Sequence, residues 1–307
     1  MIIEVVAEKD YERLDVFLSE KLDDTRTQVQ RLIKNGNVRS ETGRHTKSSQ
    51  SVRSGQKFTA DIPESLNIEY LRAEPVDFDV VYEDEYLIVV NKPSGVVVHP
   101  APGNWRGTLV NGLVYRYPEL RKLPNWLRPG IVHRLDGGTS GLMIVARTQK
   151  VTLALQEMFK ERTIHKHYIA LAHGCPEKKE GILSGPIDRD PRNYLRMVII
   201  ESGKPSLTGY KVHWSINGIS LVECELFTGR THQIRVHMSA LGCPLVGDRT
   251  YGAPDDGLGR VFLHSWKLEF QHPVTGENMK FRQPVTPDFR EYIAGLKNKD
   301  SSGGEAS

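Results

Sequence analysis

The chain has 307 residues, 38% hydrophobic and 26% charged, with a formal net charge of +3. That composition fits an ordinary globular protein with room for about two domains, and it excludes a low-complexity chain. No uninterrupted apolar run reaches the ~20 residues of a membrane helix, acids interrupt the N-terminal apolar stretch where a signal peptide would lie, and three scattered cysteines, Cys175, Cys224 and Cys243, suit a reducing cytoplasm.

The first predicted elements are two short helices. In RLDVFLSEKL, Leu14, Phe17, Leu18 and Leu22 recur at helical spacing. In TRTQVQRLIKNG, Thr25 and Gln28 have capping-box spacing, Val29, Leu32 and Ile33 make the apolar stripe, and Gly36 is placed to end the helix. Arg26, Lys34 and, further round, Arg31 fall on the opposite side. From Arg26 to Lys57 the chain carries eight Lys or Arg, including Arg39, Arg44 and Lys47, against Glu41 alone. The plain reading is a solvated helix face. Because the charge continues through the turn-rich stretch RSETGRHTKSSQSVRSGQK, it also suits a phosphate backbone. IPESLNIEYLRAEPVDF, with Pro63 and Pro75, reads as a linker and puts a domain boundary near residue 75.

Beyond it, YLIVVNKPSG reads as a buried strand stopped by Asn91, Lys92, Pro93 and Gly95. GTLVNGLVYRY is a helix through Leu109, Leu113 and Val114. RTQKVTLALQEMFKERTI is another, with Leu153, Leu155, Met158 and Phe159 on one face. Strands are predicted at 141–146, 167–172, 208–214 and 219–226, and THQIRVHMSALG is a helix closed by Gly242. Long strands and separated helices without βαβ alternation predict an α+β core rather than a doubly wound sheet. From Lys297 the tail KNKDSSGGEAS lacks apolar periodicity and is expected to be disordered over 297–307.

IVHRLDGGTSGLMIVAR places His133, Arg134 and Asp136 between apolar segments. Asp-Gly-Gly is strong turn chemistry, so Asp136 can be read as capping its own backbone and Arg134 as a surface cation. A carboxylate at the entrance to a core also needs a partner. Arg230 and Arg235, five apart on the predicted helix, project to different sides, so one can hold Asp136 while the other faces substrate or structure. His232 and His237 lack the i, i+4 spacing of a helical metal pair, and His165 and His167 have no evident third ligand, so no metal site is predicted.

HRLDGGTSGL, with VVNKPSGVVVHP, HKHYIAL and TGRTHQIRVHMSALGCPLVGDRTYG, resembles the RluA/RluD-type RNA pseudouridine synthases; the four motifs stand in family order across about 80–285. The N-terminal stretch RLDVFLSEKL, TRTQVQRLIKNGNV and SVRSGQKF is similar to the alpha-L RNA-binding motif, in the arrangement of the RluD branch. It departs from many members in having Ser40, Glu41, Thr42 and Gly43 at the middle turn. The resemblance implies a mixed, largely antiparallel catalytic sheet with a central cleft and flanking helices over 76–296, preceded by a small RNA-binding module over 1–75. It also implies isomerisation of uridine to pseudouridine in RNA, with large-subunit ribosomal RNA or the assembling subunit as partner, in a cytoplasmic monomer without cofactor, metal or membrane.

Position by position, the resemblance makes Asp136 the catalytic aspartate, Arg235 its partner, and Tyr168 a base-packing tyrosine able to assist proton removal. Arg134 becomes the arginine that fills the gap left by a flipped nucleotide. RNA contacts are expected from Arg26, Arg31, Lys34, Arg39, Arg44, Lys47, His133 and Arg230. Many members have Lys-Asp after HRLD, where this chain has Gly137 and Gly138, a change expected to loosen the turn. Two rivals stand beside this reading. A glycoside hydrolase needs a second acid beside Asp136. An RNA-binding assembly factor would have no need of Asp136, Tyr168 and Arg235.

Overall fold

A computed structural model describes residues 2–22, 26–43, 46–61, 71–101, 103–123, 125, 127–255 and 257–302. Cα proximity divides the chain into two compact units: Met1–Val76 with His99–Ile131 and Arg147–Gln149, and Asp77–Val98 with Val132–Ala146 and Lys150–Ser307.

In the first unit, β1 (Ile2–Val6), α1 (Leu14–Lys21), α2 (Arg26–Lys34), β2 (Val38–Ser40) and β3 (Lys57–Asp61) follow in order, and the strands pair antiparallel as β1-β3-β2. The predicted stripes are the buried ones: Leu14, Phe17, Leu18, Val29, Leu32 and Ile33 pack with Phe58 and Ala60 of β3. Gly36 takes φ +76 as α2 ends, a conformation open to glycine at little cost. The capping pair expected at Thr25 and Gln28 lies outside the described residues and side chains. Asp15 is fully buried under this surface; Arg13 forks onto it at 2.8 and 2.9 Å, Gln30 donates at 2.5 Å and Arg26 approaches to 3.3 Å.

The second segment of this unit departs from the single boundary that the sequence suggests near residue 75. Helix α3 (Leu109–Arg116) starts at a capping box of Thr108 and Asn111, and Asn111 Nδ2 also donates to the Arg72 carbonyl at 2.7 Å. Arg121 reaches the Leu71 carbonyl at 3.1 Å, Gly107 N–H reaches Glu74 at 2.7 Å, and Leu127 joins the core of α1 and α2. These are long-range bonds to backbone, so no local pattern announces them.

The second unit is built on a nine-stranded sheet: β4 (Asp79–Glu83), β5 (Leu87–Lys92), β6 (Ser140–Ala146), β7 (His165–His173), β8 (Glu180–Ser184), β11 (Leu207–Ile216), β12 (Ile219–Leu226), β13 (Leu263–Gln271) and β14 (Asn278–Arg282). Its order is β4-β5-β6-β13-β7-β12-β11-β8, with β14 also on β13, and β9 (Ile187–Asp190) and β10 (Asn193–Ile199) form a separate hairpin. All pairings are antiparallel except β6 with β13, so the architecture is α+β with a mixed, mostly antiparallel sheet. At that parallel seam Gly141 has φ +111, and a Cβ there would overlap the Ser265 carbonyl; only glycine lets the strands meet.

Helix α4 (Gln149–Lys160) packs Val151 and Leu155 on β5, β6 and β13. Leu153, expected on that face, is 59% exposed, because the buried stripe runs through Val151 and Leu155 and leaves position 153 on the outside. Helix α5 (Gln233–Ala240) is closed by Gly242 at φ +77. Helix α6 (Pro287–Ser302) packs Phe289, Tyr292 and Ile293 with Leu171 and Phe262. It continues through Lys297 to Ser302, beyond the point where order was expected to stop; 303–307 lie outside the described residues.

Candidate active site

Asp136 sits on the turn that leads into β6. The Thr139 N–H donates to the Asp136 carbonyl at 3.0 Å, Gly95 N–H to the Gly137 carbonyl at 2.8 Å, and Ser94 Oγ to the Gly138 carbonyl at 2.9 Å. Lys92, fully buried at the end of β5, donates from Nζ to the carbonyls of Val96 (2.7 Å), Pro93 (2.8 Å) and Gly137 (3.2 Å). Burial pushes its pKa down to about 7 against the pull of Asp136. The two glycines therefore do not loosen the turn. Their carbonyls are tied to the NKPSG loop by bonds from Lys92, Ser94 and Gly95, which is the chemistry of that motif.

His133 braces the same loop. Its Nε2 accepts the Ile144 N–H at 2.8 Å, its ring stacks 4.7 Å from Phe159, and burial pushes its pKa down to about 3. The imidazole is therefore neutral with its acceptor nitrogen taken by β6, while the residue still lines the cleft. Arg134, the next residue, is exposed and lines the cleft.

The partner of Asp136 is Arg235, on the first turns of α5: Nη1 lies 3.5 Å from Asp136 Oδ2. The rest of the guanidinium forks onto Asp248, Nε to Oδ2 at 2.7 Å and Nη2 to Oδ1 at 2.8 Å, and the group lies 4.9 Å over the Tyr251 ring. Burial works against its charge, but the Asp248 hydrogen bonds and charge raise its pKa above the usual arginine value. Arg230 is not on the helix, which starts at Gln233; its Nε donates to the Pro205 carbonyl at 3.2 Å while the residue lines the cleft.

Two further members escaped the sequence reading. His232 holds a left-handed backbone at φ 56, a costly conformation for a non-glycine residue, and brings Nε2 to 3.9 Å from Asp136 Oδ2. Tyr251, 3% exposed, accepts the Met197 N–H at 2.9 Å and lies 2.8 Å from His232 Nδ1. With its oxygen already accepting, the phenol donates to Nδ1, which leaves the Nε2–H tautomer facing Asp136. Burial lowers the His232 pKa despite the neighbouring Asp136, so the ring is neutral at pH 7. Asp248, His232 and Tyr251 all fall inside the long TGRTHQIRVH to RTYG motif, but only folding shows which of its polar residues converge.

Others in that motif are framework. Gln233 takes Thr228 Oγ1 at 2.7 Å and the Arg230 N–H at 3.0 Å on its oxygen, and gives Nε2 to the Leu207 carbonyl and Thr208. His237 bridges Thr208 and Ser206. This buried network fixes α5 against β11, and with it Arg235.

Tyr168, on β7 and 5% exposed, lines the cleft beside Asp136. Burial raises its pKa well above the ordinary phenol, against hydrogen bonding from Ser265, so the ring stands neutral in the free enzyme. Asp136 lies between two openings: one of about 420 Å³ running past Arg235 and Arg260, and one of about 330 Å³ past Tyr168, Arg134 and Arg230. Its carboxylate, 20% exposed, is reachable and held at the same time.

A reachable carboxylate held by an arginine, beside an aromatic ring and between two openings, is the arrangement of an enzyme active site. Residues 86–240 match the RNA pseudouridylate synthase family. A Bacillus subtilis protein described as an uncharacterized RNA pseudouridine synthase is 41% identical over 94% of this chain and 96% of its own length. Ribosomal large subunit pseudouridine synthase D of Neisseria meningitidis is 40% identical over 93% of this chain and 79% of its own. Among solved structures, human RNA Pseudouridylate Synthase Domain Containing 1 matches 73% of this chain and 96% of its own, at 29% identity and TM-score 0.56. The chain belongs to the RNA pseudouridylate synthase family and is an RNA pseudouridine synthase of the RluA/RluD type.

The N-terminal cations are all in the first unit. Arg26, Arg31, Lys34, Arg39 and Lys47 are exposed, though Arg26 shares its charge with Asp15; Arg44 lies outside the described residues. Among the described residues no helix is long and apolar enough to cross a membrane.

Proposed function

We propose that this enzyme converts uridines of large-subunit ribosomal RNA to pseudouridine, with Asp136 as its catalytic residue. The relatives named ribosomal large subunit pseudouridine synthase D, 39% and 40% identical, support the RNA class. The observation that carries the catalytic assignment is Asp136 Oδ2 standing 3.5 Å from Arg235 Nη1 at the meeting of two clefts.

The isomerisation breaks N1–C1′, turns the uracil, forms C5–C1′, and moves one proton from C5 to N1; nothing is gained or lost, so no redox cofactor is required. One carboxylate serves in either of two ways, by attacking C1′ or by taking a proton from C2′. Arg235, anchored by Asp248, keeps that oxygen charged and aimed. The stacked uridine must first be flipped, at a few kcal/mol. Tyr168 offers the extruded base a face worth roughly 1–3 kcal/mol, and Arg134 fills the space left in the RNA. The cationic face of Arg31, Lys34, Arg39 and Lys47, read as an alpha-L type module, holds the RNA through its phosphates. The reading carries with it a cytoplasmic monomer.

Asp136→Asn keeps the side-chain shape and removes the charge. It is expected to leave RNA binding intact and stop tritium release from C5-labelled uridine RNA; full turnover by this variant refutes the assignment. Pseudouridine mapping in cells lacking the protein, rescued by wild type but not Asp136→Ala, tests the ribosomal target.

A further inference from the structure

A further cation, besides the arginines, lines the cleft. Lys166 precedes Tyr168 by two residues on β7, and since side chains alternate along a strand the two share a face. Lys166 is 9% exposed and lines the 330 Å³ opening with Asp136, Tyr168, Arg134 and Arg230. Its Nζ lies 5.3 Å from the Phe159 ring centroid. On its other side Nζ faces exposed Gly229, where a Cβ would meet it at 3.7 Å, an ordinary contact distance.

Among the described residues no carboxylate or hydrogen-bond acceptor is found on this ammonium, which faces the cleft. The neighbouring His133 is neutral and bonded to β6, and burial alone lowers the lysine pKa to about 8. An ammonium largely withdrawn from water with no counterion in the protein costs the free enzyme stability. A thioether of similar length would pack on Phe159 without that penalty. The charge is therefore explained by an anion that arrives with the substrate. Uracil is neutral; the anion of RNA is its phosphodiester.

We propose that Lys166 forms a binding site for an RNA phosphodiester flanking the target uridine, reached over Gly229 and completed only when the strand enters the cleft. The proposal rests on the RNA substrate but not on the role of Asp136.

The test is single-turnover pseudouridine formation on RNA from cells lacking the enzyme, as a function of enzyme and salt concentration, with melting temperature in parallel. Lys166→Met is expected to melt higher than wild type, to need about tenfold more enzyme for half-saturation, and to lose ~0.7–0.9 from the slope of log K against log salt. Its limiting rate stays within a few-fold of wild type. Lys166→Arg restores the slope, and Lys166→Gln serves should the methionine variant fail to fold. An unchanged salt slope in the neutral variant, or a loss confined to the limiting rate, overturns the assignment; an active Asp136→Asn bears only on the catalytic reading.

Discussion

The cations of this enzyme fall into two populations that differ in how they are held. Around Asp136 three cations are enclosed: Arg235 is 10% exposed and forked onto a 1% exposed Asp248, Lys92 is tied to three carbonyls, and Lys166 is 9% exposed. In the first unit Arg31, Lys34, Arg39 and Lys47 lie exposed along a helix and a ribbon. The first arrangement suits chemistry, where an ångström decides the rate. The second suits affinity, where number matters more than position.

The largest effect expected from this contrast is at Arg235. Arg235→Lys keeps the charge but loses the fork onto Asp248 and the third nitrogen aimed at Asp136, and should slow single turnover by about 10²-fold or more. A rate near wild type would mean that charge alone suffices at the site and would remove the distinction. Neutralising Arg31, Lys34 and Arg39 together is expected to leave the saturated rate alone and lower the salt slope by about 2 to 3; a slope that stays put takes the first unit out of RNA binding.

His232→Ala sharpens the site side of the contrast, because it removes the N–H facing Asp136. The rate should fall by about tenfold, with RNA affinity within twofold and a smaller effect from Tyr251→Phe. Affinity loss without rate loss would make His232 an RNA contact instead.

The smallest effect is on acid stability. The His133 pKa is lowered from 6.5 to about 3 and that of His264 to about 4, so the unfolded chain binds more protons than the folded one between those values and 6.5. Their stabilising contribution is complete above pH 6.5 and is lost as pH falls, at about 1.4 kcal/mol per unit for each. His133→Gln, which keeps an acceptor for Ile144, should shrink the pH 7 to pH 5 loss by about 2 kcal/mol in urea unfolding. An unaltered loss would show His133 to be protonated and solvated in the folded protein.

The strands at 141–146 and 219–226 were legible because their apolar runs are long and end at turn residues, and the helices of the first unit because their stripes recur at helical spacing. Leu153 was misplaced because helical spacing alone does not say which stripe meets the sheet. His133 carries no such local signal: only the Ile144 N–H at 2.8 Å shows its ring to be an acceptor that braces β6. The Gly137-Gly138 turn looked slack because its bracing comes from residues some 45 positions away in sequence.

By itself the sequence determined the class of fold, the family and the identity of the central carboxylate, since these reside in local periodicity and short motifs. Tertiary structure decided that Asp248 anchors Arg235, that His232 and Tyr251 stand behind Asp136, and that Lys166 is enclosed with no counterion among the described residues. Those are matters of distance between residues far apart in the chain, and burial, which sets their charge, exists only once the sheet and α5 have closed around them.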